Sequence, residues 1–264
     1  MNPSSILITG ASSGIGRGLA IAYSAPGVVL HLCGRNIQRL EATAEACRAR
    51  GAEVHLRIID VTDAEGMRAW IGALGALDLV FANAGISAGT SGGRDGGTRE
   101  RTRQVRAIFA TNVDGVINTV LPAMDLMETQ PSAGDGVRGH IVAIASVAAF
   151  LAYPGTPTYC ASKVAVDFWT TASAPSARAR GIVLSSVCPG FVRTAMTAAN
   201  TFKMPGLMDT ERAVAIIQRG VRARKRRIVF PWWIALGARF LQLLPPAWTA
   251  RALTPQASME PMAD

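Results

Sequence analysis

Tyr159 and Lys163 stand four residues apart, the spacing that puts two side chains on one face of a helix. An ammonium beside a phenol favours the phenolate and lowers a tyrosine pKa from about 10. Such a tyrosine can exchange a proton with an alcohol or a carbonyl near neutral pH. Ser146, thirteen residues earlier, carries a hydroxyl able to bond the same oxygen and orient it. Alone, a Tyr-x-x-x-Lys pair also describes two snorkelling surface side chains, and a lone serine also describes a turn or a helix cap. What surrounds these residues has to decide.

A second group of residues is suited to phosphate. Thr9-Gly10-Ala11-Ser12-Ser13-Gly14-Ile15-Gly16 follows an apolar run and opens a helical one. Glycines allow a tight turn and close backbone approach, and a helix N-terminus offers free N–H groups and positive potential to a pyrophosphate. Strand, turn and helix in that order are the context that makes a glycine loop a dinucleotide site. The spacing is Gly-x-x-x-Gly-x-Gly and not Gly-x-Gly-x-x-Gly. Further on comes Cys33-Gly34-Arg35-Asn36. An acidic residue there would bond the adenosine ribose 2′-hydroxyl and repel a 2′-phosphate. Gly34 holds that place, and the Arg35 guanidinium can pair with a phosphate. NADP(H) is therefore the expected cofactor, with NAD(H) as the alternative.

The elements that must position these groups alternate. Apolar, β-rich runs cover residues 4–9, 28–33, 54–59, 77–82, 140–145, 183–187 and 228–230. Helical patterns cover 14–25, 37–49 and 64–74. The strands lack two-residue alternation, as expected when both faces are buried. The predicted fold is α/β, a doubly wound, Rossmann-like parallel sheet of about seven strands with helices on both faces. Ligand would sit at the carboxyl ends of the strands. Residues 1–264 are read as a single domain, with 228–264 as a C-terminal apolar extension. Residues 86–98 and 131–139 read as loops.

Taken in order, the motifs resemble those of the short-chain dehydrogenase/reductase family in its compact form. They are the glycine loop, Asp60-Val61, Asn83-Ala84-Gly85, Asn112, Ser146, Tyr159 with Lys163, and Pro189-Gly190-Phe191-Val192-Arg193-Thr194. The resemblance spans residues 5–230. It implies an enzyme acting on CH–OH groups by hydride transfer. Tyr159 would be the acid/base and Lys163 would tune it and hold the nicotinamide ribose. Ser146 would polarise the oxygen, and Asn112 would anchor a water in the proton path. It implies cofactor contacts from Gly10, Ser12, Ser13, Gly14, Ile15, Gly16, Arg35, Asp60, Val61, Asn83, Ala84 and Gly85. Tyr159, Lys163, Pro189, Gly190, Val192 and Thr194 complete the set. No metal is expected.

Two features depart from the family pattern. Pro175 falls within the helix after Lys163, where a proline removes a backbone bond and costs about 3 kcal/mol. A kink or early break near Ala174 is expected. The resemblance implies a homo-oligomer built on this helix, so the proline bears on assembly. The tail, residues 228–238, is an apolar stretch of about eleven residues, too short to span a membrane at about twenty. Trp232 and Trp233 beside a basic run would suit an interfacial helix on an anionic surface, giving peripheral membrane contact. The alternative is a last strand and a helix that closes over the cleft or packs on another subunit.

Charge and cysteines narrow the partners. Lys and Arg total 27 against 18 Asp and Glu, a net +9. Arg219, Arg222, Arg224, Lys225, Arg226 and Arg227 hold six of those charges, so the excess is one patch, read as a solvated helix end or loop. No aromatic interleaving accompanies it, and nucleic acid is not an expected partner. Cys33, Cys47, Cys160 and Cys188 are scattered, which argues against a disulfide framework or a zinc site. A reducing compartment fits, and no secretory signal is read at the N-terminus, so a cytoplasmic location is expected, with membrane association as the variant. Three readings follow. The first is an NADP(H)-dependent oxidoreductase interconverting a small-molecule carbonyl and alcohol. The second is a membrane-surface reductase of a lipid-like ketone, motivated by the tail and by Phe150, Leu151, Phe191 and Met196. The third, a non-catalytic dinucleotide-binding sensor, is disfavoured by the four catalytic-type residues.

Overall fold

The computed structural model describes residues 3–89, 100–198, 200, 203–245 and 248. In chain order the elements begin β1 (Ser5–Thr9), α1 (Gly14–Tyr23), β2 (Val29–Gly34), α2 (Ile37–Arg48), β3 (Glu53–Ile58), α3 (Ala64–Gly72) and β4 (Leu79–Ala82). They continue with α4 (Thr102–Phe109), α5 (Gly115–Thr129), β5 (Gly139–Ile144), α6 (Pro157–Ala179) and β6 (Ile182–Pro189). The last are α7 (Ala195–Ala198), α8 (Thr210–Arg222), β7 (Arg227–Phe230) and α9 (Trp232–Gln242). The seven strands form one parallel sheet in the order β3-β2-β1-β4-β5-β6-β7.

Successive side chains of a strand point to opposite faces, so an unbroken apolar strand needs cover on both sides. In β1, Leu7 joins a core with Met67, Val116 and Met124 of the α3–α5 side. Ile6 and Ile8 join the other core, with Leu19, Leu40 and Ile217 of the α1–α2–α8 side. β5 and β6 are buried along their whole lengths. The strand order reverses between β1 and β4, which opens a crevice at the carboxyl ends of those strands.

Pro175 does not break its helix. α6 runs unbroken for 23 residues, through Pro175 to Ala179. Ala174 and Ala177 are buried against the core on either side of it. Packing of that face outweighs the one missing backbone bond. Between α4 and α5 the helix widens into a π turn, Ala110–Asp114, which carries Asn112. The expected loop 86–98 lies largely outside the described residues.

Candidate active site

The glycine loop turns from β1 into α1. Gly10 has φ +65°, and a Cβ on it would stand 2.8 Å from Ala84 Cα. Gly16 does not face the crevice, but a Cβ there would come within 2.4 Å of the Gly10 carbonyl oxygen. Only glycine at both places lets the start of α1 lie flat against the loop and the end of β4. Thr9 and Asn83 fasten that contact. Asn83 Nδ2 donates to the Thr9 carbonyl at 2.9 Å, and the backbone N–H groups of Asn83 and Ala84 donate to Thr9 Oγ1 at 3.0 and 3.1 Å. Ser13 caps α1 without a side-chain bond, whereas Asn36 and Asp63 do cap α2 and α3 through theirs. Among the described residues the start of α1 thus has no side-chain cap, and a helix start of this kind can accept an anion.

A cavity of about 860 Å³ lies over this loop and the carboxyl ends of the strands. Of the residues expected at a nucleotide, Gly10, Ser12, Ser13, Gly14, Ile15, Arg35, Asp60, Val61, Asn83, Ala84 and Gly85 line it. So do Pro189, Gly190, Val192 and Thr194. Gly16 sits behind the loop. Arg35 Nη1 lies 3.4 Å from Asp60 Oδ2 across the crevice. Burial works to raise the Asp60 pKa, but bonds from Thr62 and the Arg35 charge hold it below the usual range. Sequence reasoning missed Asn36 and Arg39, which also line the cavity. Asn36 Oδ1 accepts from Arg39 N at the start of α2, so an asparagine cap directly after Arg35 was a usable signal.

At the other end of the cavity stand Ser146, Tyr159 and Lys163. Ser146 follows β5, and its Oγ accepts from Ala148 N at 3.1 Å. Tyr159 and Lys163 lie on the first two turns of α6. Glu100 holds that helix start, accepting from both the backbone and the hydroxyl of Thr158. Lys163 Nζ donates to the Ile144 carbonyl at 2.8 Å and lies 5.7 Å from the centroid of the Tyr159 ring. The sequence predicts a lowered tyrosine pKa, and the structure shows the reverse. Burial pushes Tyr159 up to about 12, against a hydrogen bond with Ser146 that pulls it down. Burial likewise takes Lys163 down to about 8. Removal from water disfavours both charged forms, and with the ammonium spent on a carbonyl it does not win over the phenol.

Asn112 does not line the cavity. It is fully buried behind it, where Nδ2 donates to the Ile86 carbonyl at 2.9 Å and to Ser162 Oγ at 3.0 Å, and Oδ1 accepts from Ile86 N at 2.8 Å. It ties the chain after β4 to α6, next to Gly85 and Lys163. Leu151, Phe191 and Met196 line the cavity as expected, whereas Phe150 is buried beneath two guanidinium groups, Arg227 and Arg239. Tyr153, Thr156, Lys203, Pro205, Ile234 and Ala238 also line it and carry no sequence motif. The tail therefore forms a last strand and then a helix whose inner face walls the cleft. Part of the basic run is structural as well: Arg227 pairs with buried Asp167 at 2.8 Å, and Arg224 with Asp135 at 2.6 Å. Among the described residues no three His, Cys, Asp or Glu are grouped to hold a metal.

Comparison with known proteins agrees with this geometry. The sequence model described as short chain dehydrogenase matches residues 4–204. An uncharacterized oxidoreductase of Myxococcus xanthus is 35% identical over 251 residues, which is 93% of this chain and 95% of that one. A 3-oxoacyl-(acyl-carrier-protein) reductase of Staphylococcus aureus is 31% identical over 213 residues, 78% of this chain and 82% of that one. Among solved structures, a short-chain dehydrogenase from Sphingobium yanoikuyae in complex with NADPH superposes with a TM-score of 0.76. It shares 24% identity and covers 98% of both chains. A short-chain dehydrogenase/reductase from Burkholderia phymatum in complex with NAD also gives 0.76, at 24% identity, over 99% of this chain and 98% of that one.

Proposed function

Since the chain belongs to the short-chain dehydrogenase/reductase family and is a nicotinamide-dinucleotide-dependent oxidoreductase of that family, we propose that it reduces a carbonyl compound, or oxidises the matching alcohol, with NADP(H). One observation carries the reading: Ser146, Tyr159 and Lys163 meet on one cavity wall, opposite a glycine loop whose helix start has no side-chain cap. The cradle fits a dinucleotide, because a Cβ at Gly10 or Gly16 would close the space between loop and helix. Gly10, Ser12, Ser13, Gly14 and Ile15 would hold its pyrophosphate, and Asp60, Val61, Asn83, Ala84 and Gly85 would hold the adenosine half. Tyr159, Lys163, Pro189, Gly190, Val192 and Thr194 would surround the nicotinamide ribose. When bound, the nicotinamide gives or takes the hydride.

The protein's own groups handle the oxygen. Ser146 Oγ donates a hydrogen bond to the substrate oxygen and orients it toward Tyr159. Tyr159 Oη gives its proton to that oxygen in reduction and takes it back in oxidation. A phenol held neutral by burial is loaded as an acid, which suits reduction. Lys163 stays fixed by the Ile144 carbonyl, close enough to support the proton's return. Asn112 holds Ile86 and Ser162 in place on the path behind Lys163.

NADP(H) preference rests on Arg35, with Arg39 beside it, at the carboxyl end of β2, where no carboxylate stands at Gly34. The test is titration of the chain with NADPH and with NADH, for the parent and for Arg35→Ala. Loss of a bidentate phosphate contact costs roughly 2–4 kcal/mol in NADPH binding and leaves NADH unchanged. Equal affinity of the parent for both cofactors would sink the preference. A cytoplasmic site of action and a homo-oligomer accompany this reading. Four free, buried cysteines support the first, and exposed Leu121 and Phe168 on α5 and α6 support the second.

A further inference from the structure

α9 has two unlike faces. Its inner face holds Ala235 and Ala238, both buried, and Ile234, and two of these three, Ile234 and Ala238, line the cavity. Its outer face is apolar and bare. Trp232 is 70% exposed, Leu236 61%, Phe240 64% and Leu243, at the end of the helix, 82%; Trp233 is exposed beside them. At 3.6 residues per turn these five side chains fall within an arc of about 100°. A contiguous patch of large apolar side chains on a soluble fold marks an interaction surface. Two tryptophans with leucine and phenylalanine match the apolar side of a helix lying in a bilayer interface.

Charge selects the occupant. Between Glu211 and Glu260 the sequence holds nine Lys and Arg and no Asp or Glu, and with Arg224 and Arg227 paired to Asp135 and Asp167 seven remain. Arg239, on α9 at the edge of the stripe, stacks its guanidinium 4.8 Å from the Phe150 ring centroid. An anionic surface attracts such a segment, and an uncharged one does not. Attachment would be peripheral, because eleven helical residues reach only about 16 Å of the roughly 30 Å hydrocarbon core. The helix Thr102–Thr129 is long and apolar enough to span a bilayer, but it is packed within the fold, with 56% of its apolar window buried.

We propose that the outer face of α9 docks this chain on an anionic lipid bilayer, and that the cavity behind it takes an apolar carbonyl compound drawn from that bilayer. The docking stands on α9 and the basic run before it; the substrate class rests on the carbonyl-reductase reading. A helix in contact with lipid on one side and with the cavity through Ile234 and Ala238 on the other gives an apolar molecule a short dry route. Leu151, Phe191, Met196 and Pro205 continue that apolar lining inward.

The test uses the full chain and two kinds of vesicle, phosphatidylcholine alone and phosphatidylcholine with an equal part of phosphatidylglycerol. Flotation should recover the chain with the anionic vesicles and leave it behind with the neutral ones. Leu236→Gln/Phe240→Gln should weaken anionic binding at least tenfold while NADPH affinity stays unchanged, which shows the variant folded. In the parent, brominated lipid should quench part of the tryptophan emission. A second readout compares a vesicle-borne long-chain ketone with water-soluble cyclohexanone. The double variant should lose about tenfold in kcat/KM on the first and nothing on the second. No flotation, equal flotation with neutral vesicles, or undiminished binding by the variant overturns the docking. A lipid-free dimer that the double substitution splits into monomers also overturns it, by giving the face to a second copy. Turnover of cyclohexanone without the vesicle-borne ketone overturns the substrate class. Turnover of neither ketone overturns the carbonyl-reductase reading and leaves the flotation result to decide the docking.

Discussion

The two ends of the same sheet use polar groups in opposite ways. At the amino ends of the strands they close on one another. Asp78 Oδ2 accepts from the Ser4 backbone, the Ser4 hydroxyl and the Ser5 backbone at 2.7, 2.8 and 3.0 Å. Gln130 accepts from Leu77 N at 2.7 Å and donates to the Leu77 and Arg138 carbonyls at 3.0 Å each. Ser185 Oγ donates to the Lys225 carbonyl at 2.7 Å, so its 2.7 Å contact with His140 Nε2 requires that nitrogen to be the donor. At the carboxyl ends the start of α1 has no side-chain cap, and half-buried Tyr159 and buried Lys163 stand at the wall of an open cavity. Saturated polar groups at one end specify the fold, and groups left with capacity at the other are free to meet a ligand. The contrast predicts that substitutions at the carboxyl end change rate with little change in stability, and that those at the amino end do the reverse.

The largest break is expected at Tyr159. Tyr159→Phe removes the proton donor and keeps the ring, so kcat should fall 10²- to 10⁴-fold, about the worth of a general acid. NADPH affinity and the melting temperature should hold nearly constant in the same preparation. A loss of stability matching the loss of rate would erase the distinction between the ends.

His140 comes next. Burial lowers its pKa from 6.5 to about 4, so it is folded in as the neutral imidazole. Between those values the unfolded chain binds a proton that the folded chain refuses. Stability is therefore full above about pH 6.5 and is lost as pH falls toward 4, by on the order of 3 kcal/mol. Urea unfolding at pH 7 and pH 4.5 should show that slope in the parent and a flatter one in His140→Gln. Gln130→Ala should follow, losing three bonds at the edge of the core for about 2 kcal/mol of stability. Its kcat/KM, measured below its melting temperature, should match the parent's.

The amino acids that could be read in advance are those whose meaning is local. The glycine loop is legible because turn, close approach and helix start are encoded within eight residues. Ser146, Tyr159 and Lys163 are legible because their chemistry is distinctive once the alternation of strand and helix brings the end of β5 beside the start of α6. What escaped depends on contacts distant in sequence. The direction of the Tyr159 shift follows from the water its ring loses at the cavity wall, which spacing to Lys163 cannot reveal. The π turn at Asn112 has no compositional mark. The tail was legible as a last strand and a helix over the cleft, or as an interfacial helix, but which side chains of α9 turn inward depends on the fold.

Pro175 gives the smallest effect and the finest division of one element. α6 starts at the carboxyl end of the sheet with Tyr159 and Lys163, and Pro175 lies three turns beyond Lys163 toward the amino end. Its ring offers no N–H to the Thr171 carbonyl, yet the helix persists because Ala174 and Ala177 are packed on the core. Pro175→Ala restores that donor. It also gives the unfolded chain more freedom, which offsets part of the gain. A net stabilisation of about 1 kcal/mol is expected, against the roughly 3 kcal/mol that separates the two residues in an isolated helix. Urea midpoints would register it. If catalytic parameters stay fixed while stability rises, the two ends of a single helix are energetically separate. A change in kcat would mean that the distal turns of α6 set the position of Tyr159, and the boundary between fold-forming and ligand-facing residues would then run through the helix and not across the sheet.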